Sequence, residues 1–247
     1  MRVDEHLEVL RRDGEKLADA AQRAGLDAPV PPCPGWQVRD VLQHTSGVHR
    51  WAAGYLTTGR PTPFTAAERE QFFVQVEDAT LIDWYRSGHR ALVDVLAGAD
   101  PAVDCWSFLP APSPLEFWAR RQAHETAVHR ADVESAIGST PAWAPAFAVD
   151  GTEELLRGLF ARRPERIACE PPVAVALSAT DADAAWTIRM DAGGLRVTDG
   201  AEPATLALSG TATDVYLLLW NRIDLDRFTV EGDPGALATW RSKAAVT

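Results

Sequence analysis

The sequence predicts a two-domain α+β protein, with a four-helix bundle over residues 1–145 and a smaller α/β domain over residues 146–247. Two observations predict this. Helical periodicity runs through four long segments of the first half. After Thr140-Pro141 the texture changes to short β-type runs that are grouped rather than alternated with helices.

The elements follow in order. Val3, Leu7, Leu10, Leu17, Ala20 and Ala24 recur at helical spacing up to Gly25. DAPVPPCPGW then forces a loop. A second helix starts near Gln37 and runs out at Thr57-Thr58-Gly59-Arg60-Pro61. Residues 65–97 read as a third helix, with Phe72, Phe73, Val76, Leu81, Trp84, Leu92 and Val95 as core candidates. A proline-rich loop over 99–114 carries Trp106 and Phe108. The fourth helix begins at Pro114, a favoured first-turn residue, and ends near Ile137-Gly138. In the second half, a short helix near 150–162 leads to VAVALSA, AWTIRMD, GLRVTDG and TLALSG. DAGG marks a hairpin between the second and third of these. ATDVYLLLWNRI reads as a helix, DRFTVEGD as a strand, and PGALATWRS as a closing helix started by Pro234.

Composition narrows the function. Of 247 residues, 46% are hydrophobic and 24% charged, as in a globular protein with a full core. The net charge of −11 argues against a nucleic-acid or anionic-membrane surface. No apolar run is long enough to span a bilayer, and the charged N-terminus lacks a signal core. A cytoplasmic monomer is the simplest expectation. Cys33, Cys105 and Cys169 are odd in number and form no C-x-x-C, so neither a disulfide framework nor a zinc knuckle is expected. Cys33 has no paired base in view and is not expected to be a nucleophile.

The chemistry concentrates in QAHETAVHRAD, residues 122–132. HETAVH resembles the zinc-protease signature H-E-x-x-H with one residue too many. At about 100° per residue, His124 and His129 point roughly 140° apart on one helix and cannot share a metal. Glu125 and His129 are four apart and share a face. Gln122 and Asp132 extend that face into a polar stripe, unusual for a core-facing surface, and either could orient an imidazole. The third ligand must come from elsewhere. Helix two offers His44 and His49, of which only one can face inward; the apolar Val41, Val48 and Tyr55 beside His44 favour it. His44, Glu125 and His129 would suit a divalent ion such as Zn²⁺ with open positions, the pattern of a catalytic site. The plain alternative is a solvated Glu–His pair and an ordinary buried histidine. His49, His124 and Trp51 read as packing residues, and Trp36 and Trp106 as loop residues able to line a cleft.

Two stretches, CPGWQVRDVLQHTSGVHRWA and RRQAHETAVHRADVE, and the tail LSGTATDVYLLLWNRIDLDRFTVEGDPGALATW, resemble the mycothiol-dependent maleylpyruvate isomerase family. Gln37 stands where a threonine is common. The resemblance implies a DinB-like bundle, a sterol-carrier-like C-terminal domain and an actinobacterial cytosol. It places a divalent metal, usually zinc, on His44, Glu125 and His129, with mycothiol entering between the domains. It also implies that an arginine of the C-terminal domain assists catalysis, for which Arg222 is the nearest match.

The expected function is therefore metal- and mycothiol-dependent addition of a thiolate to a small electrophile. Expulsion of the thiolate gives cis–trans isomerisation, and its retention gives S-transfer. Arg222 or Arg121 could hold a substrate carboxylate, although a solvated surface charge is the plainer reading of Arg121. Metal-assisted hydrolysis or another transfer on the same scaffold, and a non-catalytic metal-binding protein, are the alternatives.

Overall fold

The computed structural model describes residues 1–244 and divides into two compact units, Met1–Pro141 and Ala142–Thr247. The first unit is built on four long helices: α1 (Val3–Ala24), α2 (Val38–Thr58), α4 (Asp78–Gly98) and α5 (Pro114–Ser135), with the short α3 (Ala66–Glu70) between the second and third of them. α1 packs mainly on α5 and α4, and α2 on α4 and α5, so α1 and α2 stand diagonally across the bundle. α5 is covered on nearly every side, and its buried residues include Arg121, Gln122, His124, Asp132 and Glu134. A helix in this position buries its polar stripe, and Arg121, Asp132 and Glu134 find their partners inside the protein.

Local sequence fixes the helix ends. Ser113 Oγ accepts the Glu116 N–H at 3.2 Å, with Pro114 in the first turn of α5. At α2, where Gln37 is the cap residue, Asp40 Oδ2 accepts the Gln37 N–H at 2.7 Å, the reach-back half of a capping box. Gly59 closes α2 in the left-handed conformation.

The expected single helix over 65–97 is instead two, α3 and α4, separated by residues 71–77. The cause lies in α2. Gly47 and Gly54 sit two turns apart on one stripe. A Cβ on Gly47 would come within 2.3 Å of Phe73, and one on Gly54 within 2.9 Å of Phe72. Neighbouring helical residues point about 100° apart, so Phe72 and Phe73 can both reach that stripe only if the helix breaks. Leu81 and Leu92 are buried as expected, whereas Phe72, Phe73, Val76, Trp84 and Val95 are half-buried.

The second unit holds a five-stranded sheet in the order β3-β2-β1-β4-β5, from β1 (Val173–Ala179), β2 (Ala185–Asp191), β3 (Gly194–Asp199), β4 (Leu206–Gly210) and β5 (Thr229–Gly232). β1 and β4 are parallel and the other pairs antiparallel. Asp191 to Gly194 forms the β2–β3 hairpin, and Gly194 has φ +98°, a conformation glycine adopts freely. The helix expected near 150–162 starts earlier, as α6 (Pro145–Glu153), and continues in wider and then tighter turns to Arg162. α7 (Ala212–Leu219), capped by Thr211 Oγ on the Asp214 N–H at 3.1 Å, is buried along its whole length. The closing helix α8 (Ala236–Lys243) is preceded by Gly235, so Pro234 lies outside it. No helix among the described residues is long and apolar enough to cross a membrane.

Candidate metal centre

His44 projects from α2, and Glu125 and His129 project from α5 one turn apart. Glu125 Oε1 lies 3.2 Å from His44 Nε2 and 3.2 Å from His129 Nε2. The two imidazole rings are 4.9 Å apart at 70°, nearly edge to face. One ligand atom from each of the three residues falls within 4.8 Å of the other two. Two borderline nitrogens and one oxygen converging in this way fit a divalent ion with vacant positions.

The surrounding groups hold the three in place. His129 Nδ1 lies 2.9 Å from Asp132 Oδ2, which turns Nε2 toward Glu125. Asp132 is fully buried, so this orientation is rigid. Arg121 Nη2 donates to Glu125 Oε2 at 3.1 Å, leaving Oε1 for the histidines. Arg121 is therefore not the solvated surface charge expected of it: its side chain is only 4% exposed.

Burial opposes charge on Glu125. Hydrogen bonds from His129 and His44, with the nearby Arg121 guanidinium, outweigh it and hold the carboxyl well below its usual range. Burial likewise pushes the His129 imidazole down, but its hydrogen bonds to Asp132 and Glu125 outweigh that and raise it to about 9.

Gln122 lies on the same stripe but makes no hydrogen bond to either imidazole; it is buried, with neither amide atom partnered. Seven residues at 1.5 Å each put it about 10 Å along the axis from His129, too far to orient that ring. Asp132, three residues away, does reach it.

His124 is fully buried on another side of α5, edge-on to His6 at 5.9 Å. His49 links α2 to α5 through Thr126 Oγ1 at 2.9 Å from its Nε2. Its burial, followed by the neighbouring His89, pushes its imidazole well below the ordinary value, so it is neutral at neutral pH. His44 is not deep in the bundle. With its side chain 36% exposed, it stands at the open margin of the stripe that buries Val41, Val48 and Tyr55.

Trp36 covers the histidines, 5.5 Å from His44 and stacked at 10° on His129 at 6.4 Å. The proline-rich loop holds it there: the Cys33 N–H donates to the Val30 carbonyl at 3.0 Å and the Trp36 N–H to the Cys33 carbonyl at 2.9 Å. Gly35, at φ +86°, supplies the reversal. Trp106 instead packs with Trp51, Tyr55, Phe108 and Trp118 in an aromatic cluster. Arg222 lies in the second unit, just after α7, where its Nη1 donates to the Trp220 carbonyl at 2.7 Å.

These features define a class: an α+β protein whose helical bundle carries a cluster of two histidines and one carboxylate. The chain is an enzyme of the mycothiol maleylpyruvate isomerase family. Residues 7–134 match the family's "Mycothiol maleylpyruvate isomerase N-terminal domain" and residues 146–239 its "MDMPI C-terminal domain". Among solved structures, the crystal structure of the mycothiol-dependent maleylpyruvate isomerase is similar at TM-score 0.64 and 13% identity, over 94% of this chain and 93% of that one. A histidine-to-alanine mutant of that enzyme gives TM-score 0.63 and 12% identity over the same shares. At such identities the likeness concerns the fold. No curated protein matches the sequence.

Proposed function

We propose that this chain is a metal- and mycothiol-dependent enzyme that adds a thiolate to a small electrophile, with cis–trans isomerisation as its reaction. The convergence of His44 Nε2, Glu125 Oε1 and His129 Nε2 carries this reading, in a chain of this family. A divalent ion held by these three, zinc by their donor chemistry, would supply the positive charge that keeps a thiol ionised near neutral pH and polarises a carbonyl.

The chain's own residues have defined parts. Glu125 stays ionised and offers Oε1. Arg121 balances its other oxygen. Asp132 fixes the His129 ring so that Nε2 faces the site. Trp36 limits water access above the histidines. Arg222 keeps the assisting part that the family resemblance implies.

In the reaction, the thiolate sulfur bonds to one carbon of an activated cis double bond, and the π electrons move onto the conjugated carbonyl oxygen. Rotation about the resulting single bond follows. Return of the electrons re-forms the double bond and breaks the C–S bond, so the thiol is not consumed. Retention of sulfur, with a proton added at carbon, would give an S-conjugate. Incubation of the purified protein with mycothiol and a panel of unsaturated carbonyl compounds tests this. Isomer or conjugate formed only with thiol and metal together supports it, and absence of both products overturns it.

A further inference from the structure

A pocket of about 360 Å³, wholly within the first unit, has both His44 and Phe73 in its wall, their rings 6.5 Å apart. Phe73 belongs to residues 59–77, the connection between α2 and α4, in which no residue is fully buried. Its ring is therefore placed by α2 rather than by its own segment. The three Phe73 ring carbons nearest Gly47 lie 2.3, 2.7 and 2.8 Å from where a Cβ on that glycine would stand. Only glycine lets a ring lie so close to the helix. Gly47 is three residues after His44 and four before Trp51, about 5 Å and 6 Å along the α2 axis. Phe73 thus stands between His44 and the space at Trp51, and neither Trp51 nor Gly47 reaches the pocket wall. On the far side is Arg69, its guanidinium carbon 5.5 Å from the Trp51 ring and 5.7 Å from the Phe73 ring. Arg69 is exposed and has no ion-pair partner among the described residues, and the adjacent Glu68 is spent on Arg60.

The connection is held by more than this ring. Gln43 Nε2 donates to the Val76 carbonyl at 2.7 Å, Phe72 sits against Gly54, and the Phe64 N–H donates to the Tyr55 hydroxyl at 2.8 Å. Shortening Phe73 would leave these supports in place, so the space it fills would open rather than collapse. We infer that Phe73 is a specificity-determining residue, a partition that stops a small ligand held at the metal centre from extending along α2 toward Trp51. Beyond the partition, the Arg69 guanidinium favours a carboxylate. The ligand that Phe73 shuts out, and a smaller residue would admit, is therefore a longer chain ending in a carboxylate. The inference rests on the metal centre and on its reading as a site for small electrophiles, but not on the isomerisation itself.

The test is a binding measurement on the full chain loaded with cobalt, whose absorption spectrum changes when a thiolate joins its ligands. The probes are ω-mercaptoalkanoic acids from mercaptoacetate to mercaptooctanoate, with mercaptoalcohols of the same lengths. Phe73→Ala should bind the long acids about tenfold more tightly than the wild type does, with the short acids unchanged. Phe73→Leu, which keeps an apolar contact on Gly47, should fall between the two and carries the comparison if the alanine variant takes up less cobalt. The long alcohols should gain less than the acids, and adding Arg69→Gln should bring the acids down to the alcohols. Length profiles equal to the wild type in both Phe73 variants, with the cobalt spectrum intact, overturn the partition and leave the metal centre standing. Equal gains for acids and alcohols overturn the part given to Arg69. A chain that takes up no cobalt overturns the centre and the partition together. If the shifts appear and no electrophile is turned over with mycothiol, the partition stands and the proposed reaction fails.

Discussion

Asp132 Oδ2 and His129 Nδ1 lie 2.9 Å apart, and the other nitrogen of the same ring stands 3.2 Å from Glu125 Oε1. One buried carboxylate thus sets the direction of a candidate metal ligand. Asp132→Asn keeps the shape but removes the charge. It should lower zinc affinity by about 10- to 100-fold, read by competition with a chelating dye.

Metal binding should be linked to pH through His129. Its imidazole is raised to about 9 in the metal-free protein, so at neutral pH it carries a proton that a metal must displace. Apparent affinity should therefore climb about tenfold per pH unit for this one proton and level off above about pH 9. The same shift acts oppositely on the metal-free fold. The raised value stabilises it fully below the ordinary histidine value, and this contribution is lost as pH rises through about 9. Calorimetric titration across this window checks the first statement, and urea unfolding of metal-free protein checks the second.

Arg121 balances Glu125 through a buried contact, so Arg121→Leu should leave Glu125 Oε2 without that partner while Oε1 keeps the two histidines. Unfolding of the metal-free variant should cost about 3 kcal/mol less than that of the wild type. Saturating zinc should narrow the gap, because the ion offsets the same charge. An equal loss with and without zinc would show that Arg121 serves packing alone.

His49 and His44 are both on α2, but only His44 faces Glu125. His49→Ala removes a buried ring and its bond to Thr126, and should destabilise by about 2–3 kcal/mol in urea unfolding. Its metal content should equal that of the wild type.

Arg222→Ala should lower kcat while leaving metal content unchanged, and Arg222→Lys should restore little if the guanidinium fork is what matters. Steady-state kinetics alongside elemental analysis separates this from a structural effect.

Much of this site was legible because helical phase is a strong constraint. The five-residue step from His124 to His129 excludes a shared ligand direction, and the four-residue step from Glu125 to His129 favours one. The stripe of Val41, Val48 and Tyr55 pointed to the inward side of α2, although His44 proved to sit at its margin. Other features depended on tertiary contacts that periodicity does not carry. Phe72, Phe73 and Val76 fit a helix pattern, yet the chain breaks there because two glycines of α2 receive both phenylalanines. The paired glycines, seven apart, were the available signal. Arg121 is four residues from Glu125, a spacing common on solvated helices; only the central place of α5 makes the pair buried. Trp36 is positioned by loop hydrogen bonds, which a run of prolines suggests but does not specify.

The central claim is that His44, Glu125 and His129 together hold a divalent metal. Elemental analysis of protein purified without chelators measures it directly, comparing the wild type with His44→Ala and Glu125→Ala. The account predicts about one zinc or equivalent ion per chain in the wild type and nearly none in either folded variant. Metal content unchanged by both substitutions would contradict it.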